Sequence, residues 1–332
     1  MTVYYRPLVQ HGDFRPDGAM SLAGQKLWFT LAEKIERGKI KKVVDVSDIP
    51  EEHLVRFVRP RTAIAGLDMA QPQIMGILNA TPDSFSDGGV HNSIDTARTA
   101  AIAMVAHGAS ILDIGGESTR PGADFVPEDE EIARTRPLIE AIRSETDALI
   151  SIDTRKASVA KVAHQAGAGL INDVSGFTFD PQLAPFCAQI EAPVCVMHMQ
   201  GDPATMQDDP QYDDVLLDVY DFLDRQITEL ERQGLNRDQI IVDPGIGFGK
   251  NTDHNLTLLR NLSLFHGLGC PILLGVSRKG FIGEIGKESR KDARAPGSIA
   301  VALAGLSQGV QIVRVHDVAE TAQALRLWAA VR

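Results

Sequence analysis

The sequence predicts a (β/α)8 barrel with an N-terminal extension or small subdomain, and three observations indicate this fold class. From residue 74 onward, eight short apolar runs alternate with segments whose apolar residues recur at helical spacing. The eight units fill about 250 residues, the usual size of such a barrel. Each apolar run also ends on polar side chains, as strands do when they open into one mouth. A doubly wound sheet is the alternative, but the first strand is followed by no glycine-rich dinucleotide fingerprint.

The apolar runs give the positions of the strands, and amphipathic patterns give the helices between them. We predict strands at residues 74–78, 110–114, 149–152, 169–172, 193–197, 239–242, 271–276 and 311–315. Three helices have clear apolar faces, formed by Ile132, Thr135, Ile139 and Ile142, by Val215, Val219, Phe222, Leu223, Ile227 and Leu230, and by Val318, Ala322, Leu325 and Trp328. Pro127 and an acidic first turn begin the first of these, and Asp317 is the expected N-cap of the last.

Residues 1–70 do not follow the alternation, so we divide the chain into an extension of unknown role at 1–70 and a barrel at 71–332. Within the extension, AGQKLWFTLAEKIERG predicts a helix and KIKKVVDVSDI predicts a strand, while YYRPLV could add another. The eight barrel units are complete from residue 74. We therefore expect the barrel to fold without residues 1–70.

Composition excludes several classes of protein. The 332-residue chain carries 33 basic and 44 acidic residues, a net charge of −11, which argues against nucleic acid as the main partner. It has no run of 18 apolar residues that could span a membrane, and its N-terminus lacks the pattern of a signal peptide. The three cysteines, Cys187, Cys195 and Cys270, have no metal-ligand spacing and predict buried free thiols in the cytoplasm.

The polar residues that follow the strands predict one polar pocket. They are Asn79, Asp113, Asp153, Asn172, Asp173, His198, Asp243, Ser277, Lys279, Arg314 and His316. Caps and turns favour Asp, Asn and Ser, which accounts for about half of them. Turns do not account for Lys279, Arg314 and His316. Because an acidic chain gathers these cations, with Arg120, at one mouth, we expect an anion to bind there.

Several motifs have a structural alternative. Asp153 in SIDTRK could cap the next helix, and Arg120 in GGESTRPGA could belong to an ordinary turn. The glycines of VDPGIGFGK resemble a phosphate loop, but their spacing does not match one. We instead expect Asp243 to bond the ligand and these glycines to let the loop pass close to it. The two-residue period of a strand directs Arg314 and His316 to the same side.

Several of these motifs resemble one known family. GILNATPDSFSDGG, GGESTRPGA, SIDT, IND, MHMQGDPATMQ, DPGIGFGK, SRK and RVHD occur in the order typical of dihydropteroate synthases, over residues 73–332. One small departure is Ala80, where the family commonly has valine, and a larger one is the long N-terminal region. The resemblance implies the joining of 6-hydroxymethyl-7,8-dihydropterin pyrophosphate to 4-aminobenzoate, giving 7,8-dihydropteroate and pyrophosphate, and a homodimer.

The resemblance also implies the role of each site residue. The pterin would be bound by Asp153, Asn172, Met197, Asp243, Gly275 and Lys279, and the pyrophosphate by Asn79, Thr119, Arg314 and His316. Asn79 would hold Mg2+, and the polar loop 80–89 would fold over the mouth. The 4-aminobenzoate would meet Thr119, Arg120, Pro121, Phe248 and Ser277. The catalytic residues would be Asp153, Lys279, Arg314 and His316.

Two other functions remain open on the sequence. Another pterin-binding barrel, such as a methyltetrahydrofolate:corrinoid methyltransferase, would share the Asp and Asn residues but would not need the cations of SRK and RVHD. A non-catalytic pterin-binding paralogue or partner-binding subunit would not need the full set of polar strand ends. Formation of dihydropteroate separates these possibilities.

Overall fold

The structure is a computed structural model that describes residues 2–80, 89–118, 125–201 and 205–331, with only the backbone described at 89–93. Thirteen strands and ten α-helices lie in these ranges. None of the described helices is both long enough and apolar enough to cross a membrane.

The N-terminal extension is mainly β-structure. It contains β1 (Val3–Pro7), β2 (Met20–Ser21), β3 (Trp28–Phe29), β4 (Leu31–Glu36) and β5 (Lys42–Asp45), followed by α1 (Glu51–Val58). Strands β1, β4 and β5 form an antiparallel sheet in that order, with Val3 opposite Glu36 and Leu31 opposite Asp45. The strands predicted near residues 4–9 and 39–49 are confirmed, but the helix predicted over AGQKLWFTLAEKIERG is wrong. Pairing of β4 on both sides overrides the helical preference of its Ala, Glu and Lys residues.

The rest of the chain forms the predicted barrel. Its elements are β6 (Gln73–Asn79), α2 (Gly89–His107), β7 (Ile111–Gly115), α3 (Glu128–Arg143), β8 (Leu149–Asp153), α4 (Ala157–Ala166), β9 (Leu170–Asp173), α5 (Leu183–Gln189), β10 (Val194–Met197), α6 (Val215–Arg232), β11 (Ile240–Asp243), α7 (Thr252–Arg260), β12 (Leu273–Leu274), α8 (Gly280–Gly286), α9 (Ala295–Leu306), β13 (Ile312–Val315) and α10 (Val318–Ala330). The strands are parallel in the order β11-β10-β9-β8-β7-β6-β13-β12. Between the two ends of this sheet, the N–H of Val242 donates to Pro271 O at 2.9 Å and Val242 forms a bridge with Ile272.

All eight strands and the three amphipathic helices are confirmed. Helix α3 begins directly after Pro127 with the acidic turn that the sequence predicts. Asp317 does stand at the N-cap of α10, but its side chain makes no capping bond. It instead accepts a hydrogen bond from Nε of Arg278 at 3.0 Å. Asp317 therefore fixes the arginine that lies between two predicted site residues of the β12 loop.

The amino-terminal end of the barrel is filled by residues that precede its first strand. Ile64 and Met69 are buried against Met75, Ile111 and Ile312, which come from the starts of three strands. Residues 61–70, which the sequence groups with the extension, therefore contribute to the barrel interior. Removing them would expose apolar side chains that they now cover.

The extension also covers the barrel segment 262–268, whose seven residues are all buried. The Tyr4 hydroxyl donates to Asp221 of α6 at 2.8 Å, and Ser263 Oγ donates to the carbonyl of Pro7 at 2.9 Å. Arg61 is buried and donates to the carbonyl of His266 at 3.1 Å. That the barrel folds without residues 1–70 stays a prediction, and these contacts argue against it.

Candidate active site

Charged groups from three strands meet beneath the carboxyl-terminal mouth of the barrel. Arg314 of β13 donates from Nε to Oδ2 of Asp113 on β7 at 2.5 Å, and from an Nη atom to Oδ2 of Asp153 on β8 at 2.8 Å. Asp113 has no exposed surface and Asp153 is almost fully buried. The cation is therefore oriented by two carboxylates before any ligand binds.

Asp113 also organises its neighbours, a role that the sequence reasoning missed. Its Oδ1 accepts the Ser151 hydroxyl at 2.6 Å, and both of its oxygens lie 3.3 Å from Nδ2 of Asn172. Because the amide nitrogen of Asn172 is engaged here, its oxygen is left for a ligand. The position of Asp113 at a strand end was the only sequence signal, and its neighbours are set by the parallel register of β7, β8 and β9.

Asp153 does not cap the next helix. The first N–H of α4, from Ala157, is bonded by Asp180 at 2.8 Å. Among the described residues, Oδ1 of Asp153 is buried without a hydrogen-bond partner. Burial raises the pKa of Asp153, Arg314 opposes that rise, and the nearby charge of Asp113 adds to it. An unpartnered buried oxygen next to a cation is a position where a ligand N–H can bind.

Asp243 at the end of β11 presents one oxygen to the pocket. Its Oδ1 accepts the N–H of Gly245 at 2.7 Å. Its Oδ2 faces Gly275, where a side chain's Cβ would lie 3.7 Å away. Burial raises the pKa of Asp243, and the Gly245 bond and the Lys279 charge oppose that rise. The absence of a side chain at Gly275 keeps space beside this carboxylate.

Lys279 lies against an aromatic ring from the β11 loop. Its Nζ is 4.1 Å from the centroid of Phe248. Burial lowers the pKa of Lys279 to about 8, with Asp243 raising it and Arg314 lowering it further. A lysine whose pKa lies so near neutrality changes its charge in the working pH range. Phe248 and Lys279, predicted for different substrates, are thus direct neighbours.

Ser277 and His316 form a second pair at the mouth. Ser277 Oγ is 2.9 Å from Nδ1 of His316 and accepts the backbone N–H of that residue at 3.1 Å. The hydroxyl joins the end of β12 to the end of β13. His316 follows the last residue of β13, while Arg314 reaches Asp113 and Asp153 from within that strand.

The glycines of the β11 loop serve a different purpose from the one expected. Gly245, Gly247 and Gly249 all have positive φ, between 61° and 80°. A Cβ at Gly245 would lie 1.8 Å from the carbonyl oxygen of His198, and one at Gly249 would lie 2.4 Å from that of Gln200. These two glycines allow close approach to backbone and not to a ligand. Only Gly247 faces the pocket, where its Cβ would lie 3.1 Å from the Lys279 side chain.

Met197 and Asn79 complete the described part of the predicted site. Met197 is buried at the end of β10, opposite Asp243 in the sheet register. Asn79 ends β6, opposite Gly115. No cluster of three metal-ligating side chains occurs in the described ranges. Mg2+ commonly uses one or two protein oxygens together with substrate phosphates and water. A single protein ligand, the side-chain oxygen of Asn79, is enough for that mode of binding.

Part of the predicted site falls outside the described residues. Thr119, Arg120 and Pro121 lie there, as does the polar loop after Ala80 up to residue 88. The base of the segment that carries Arg120 is described. Glu117 accepts the N–H of Val126 at 3.0 Å and pairs with Arg155 at 3.1 Å, and Lys156 pairs with Glu131 at 2.6 Å.

Comparison with known proteins identifies the family of the chain. The family described as "Pterin binding enzyme" matches residues 75–316. The chain is 46% identical over 261 residues to the dihydropteroate synthase of Escherichia coli (strain K12), a match that covers 79% of this chain and 92% of that protein.

Two solved structures are similar over most of their length. The Yersinia pestis dihydropteroate synthase with a sulfonamide drug complex gives a TM-score of 0.77 at 44% identity, covering 82% of this chain and 99% of that one. The Xanthomonas albilineans dihydropteroate synthase with 4-aminobenzoic acid gives a TM-score of 0.77 at 43% identity, covering 82% and 98%. The chain therefore belongs to the pterin-binding enzymes and, among them, to the dihydropteroate synthases, which are transferases.

Proposed function

We propose that the chain joins 6-hydroxymethyl-7,8-dihydropterin pyrophosphate to 4-aminobenzoate at the carboxyl-terminal mouth of the barrel, as a step of folate biosynthesis. The observation that carries the assignment is the meeting of Arg314, Asp113 and Asp153 in one buried pocket. This pocket offers acceptors for the N–H groups of a pterin and a cation for an anionic leaving group.

The pterin would be recognised by its pattern of donors and acceptors. Asp243 Oδ2, the amide oxygen of Asn172 and Oδ1 of Asp153 are acceptors that suit the ring N–H and amino groups. Lys279 supplies the donor for the ring carbonyl side, and Met197 packs against the ring face. Such a buried set discriminates strongly against ligands that leave any of its members unpaired.

The cations would stabilise the departing pyrophosphate. The bond between the pterin methylene carbon and the pyrophosphate oxygen breaks, and the electron-rich pterin stabilises the positive carbon. Arg314 and His316 interact with the negative charge that develops on the leaving group. Arg314 is held by Asp113 through Nε, so its orientation is fixed during this step.

Mg2+ would neutralise part of the pyrophosphate charge, with Asn79 as its protein ligand. The single side-chain oxygen of Asn79 at the end of β6 suits a metal that is bound mainly through substrate. A titration of pyrophosphate affinity against Mg2+ in Asn79→Ala tests this role.

The arylamine would then attack the methylene carbon. Its nitrogen forms the new bond and loses a proton, and no residue of the chain forms a covalent intermediate. Phe248 and Ser277 would receive the aromatic ring and carboxylate, together with Thr119, Arg120 and Pro121. Phe248 already lies against Lys279, which brings the two substrate regions together.

Location and assembly form part of the same proposal. Cys187, Cys195 and Cys270 are buried free thiols, as is usual in the reducing cytoplasm. We infer a cytoplasmic homodimer, the dimer resting on the family resemblance. Sedimentation equilibrium would give the mass of the assembly directly.

Product analysis tests the function against its rival. The chain should convert the pterin pyrophosphate, labelled 4-aminobenzoate and Mg2+ to labelled dihydropteroate. A corrinoid methyltransferase would instead transfer a methyl group from methyltetrahydrofolate and leave the arylamine unchanged. Absence of labelled dihydropteroate from the folded chain would refute the proposal.

A further inference from the structure

Lys250, at the end of the β11 loop, is a buried lysine that the proposed reaction does not use. Only 2% of the residue is exposed. Among the ion pairs between described residues, none includes Lys250. Its Nζ donates instead to the carbonyl oxygens of Gly245 and Phe248 at 2.9 and 3.0 Å, and lies 2.8 Å from Nδ1 of His198. A buried lysine amine that donates to several carbonyl groups holds the backbone of those groups in one conformation.

The acceptors of Lys250 belong to the loop that carries Phe248. Gly245 and Phe248 are part of the 244–249 segment, which joins β11 to α7. The segment has further ties, because Gly247 O accepts from Gln207 at 2.6 Å and Gly249 O accepts from Tyr212 at 2.8 Å. Among these described contacts, Lys250 donates to more than one carbonyl of the loop. It replaces hydrogen bonds that the carbonyls of Gly245 and Phe248 would otherwise make to water.

Holding this loop has a consequence for the site. Phe248 lies over the ammonium group of Lys279 at 4.1 Å from its ring centroid. The carbonyl of the same Phe248 accepts from Lys250, so one residue joins the two lysines. We propose that Lys250 is a positioning residue, which holds Phe248 against Lys279 and thereby keeps the pterin-facing lysine shielded from water. The inference rests on the proposed function, because it assigns Lys250 an effect on pterin binding through Lys279.

The charges around Lys279 give the expected direction of the effect. Asp243 on β11 favours its ammonium form, whereas burial and Arg314 on β13 disfavour it. Burial lowers the pKa of Lys250 itself well below its ordinary value, so its contribution is its hydrogen bonds and not a fixed charge. Loss of the Phe248 cover should raise the pKa of Lys279 toward its ordinary value, because it reduces the burial that lowers this pKa. The alkaline limit of pterin binding should then move to higher pH.

The first test is Lys250→Met, which keeps a side chain of similar length and removes its hydrogen bonds to the loop. We expect pterin pyrophosphate to bind on the order of tenfold more weakly at neutral pH, because Lys279 is no longer held in position to donate to the ring. The pH above which pterin binding weakens, which we call the alkaline limb, should rise by about one unit. Lys161→Met, an exposed lysine of α4, serves as the matched control and should leave both unchanged. A general loss of stability would not shift the alkaline limb, so an unshifted limb in Lys250→Met overturns the inference.

A double-mutant cycle with Phe248→Ala tests the route of the effect. If Lys250 acts through Phe248, Lys250→Met should add little once the ring is gone. Additive losses would mean that Lys250 acts elsewhere and would refute the proposal. The proposal would also be refuted if Phe248→Ala bound pterin pyrophosphate with wild-type affinity and showed the alkaline limb of the wild type. The proposed function fails separately, through absence of dihydropteroate formation by the wild-type chain.

A second variant pair keeps the test available if Lys250→Met does not fold. His198→Leu removes one acceptor of Lys250, whereas His198→Asn keeps an amide oxygen close to the position of Nδ1. We expect an upward shift of the alkaline limb in His198→Leu and a wild-type limb in His198→Asn. Identical limbs in the two variants would contradict the role assigned to Lys250.

Discussion

The Nε atom of Arg314 lies 2.5 Å from Oδ2 of Asp113, a carboxylate with no exposed surface. Asp153 contacts the same guanidinium at 2.8 Å, so Arg314 is charge-compensated in the free site. An entering pyrophosphate therefore meets a cation that is already oriented, and little side-chain entropy is lost on binding. This arrangement makes Asp113 as important to the proposed anion site as the residues that touch substrate.

Asp113→Asn should destabilise the fold and weaken substrate binding together. The amide places N–H groups opposite Arg314 Nε or Asn172 Nδ2 and removes the compensating charge. Loss of one partner of a buried pair costs about 3 kcal/mol, which thermal melting would detect. Asp129→Asn, an exposed carboxylate in the first turn of α3, is the control. An unchanged melting temperature in Asp113→Asn would contradict the central position of this carboxylate.

Asp243→Asn should weaken pterin pyrophosphate binding while leaving the fold nearly intact. The Gly245 N–H can still bond the amide oxygen, so the new NH2 group faces the ligand in place of Oδ2. A donor opposite ligand N–H groups costs about 1–3 kcal/mol of binding free energy. Calorimetry on Asp243→Asn measures the loss of binding free energy. Asp253→Asn, at an exposed carboxylate of α7, is the control and should bind like the wild type. Wild-type affinity in Asp243→Asn would remove Asp243 from the pterin site.

Pterin binding should weaken as the pH rises through about 8, the lowered pKa of Lys279. Below that pH the ammonium is present and can donate to the ring, and above it the charge is lost. Lys279→Arg keeps its charge to much higher pH, so its alkaline limb should move upward even if its affinity is lower. Affinity that does not change between pH 7 and 9 in the wild type would contradict a titrating Lys279 at this contact.

N-terminal truncation should destabilise the chain more when it removes residues 61–70 than when it stops before Arg61. A chain that begins at Gln71 lacks Ile64 and Met69, which fill the end of the barrel. It also exposes segment 262–268, which the extension now covers. We expect this chain to aggregate or to melt well below one that begins at Arg61, because only the longer chain keeps the residues that fill the barrel end. Equal melting temperatures and equal activities would show that residues 61–70 are dispensable.

The barrel could be predicted from the sequence because its signals are local. Each strand is a short apolar run, and each run ends on a polar residue that the parallel topology brings to one mouth. Asn172, Asp243 and Arg314 were found in this way. The strand β4 was missed because Leu31–Glu36 becomes extended only through pairing with β1 and β5, which are distant in sequence or join it through a turn.

The remaining errors concern the hydrogen-bond partners of side chains and not the positions of those side chains along the strands and helices. Nothing local shows that Asp317 bonds Arg278 instead of capping α10. The same is true of Lys250, which follows its glycines as an ordinary loop lysine would, although its acceptors include the distant His198. Such partners are set by contacts between loops that the apolar pattern does not record.

The most direct test of the account compares dihydropteroate formation by the wild-type chain and by Arg314→Ala at saturating substrates and Mg2+. The wild type should release one pyrophosphate for each dihydropteroate formed. Arg314→Ala should be slower by at least about a hundredfold, the usual effect of removing one group that stabilises developing charge. Circular dichroism would establish that the variant is folded. No product from the wild type, or an equal rate in folded Arg314→Ala, would contradict the claim that this mouth carries out the condensation.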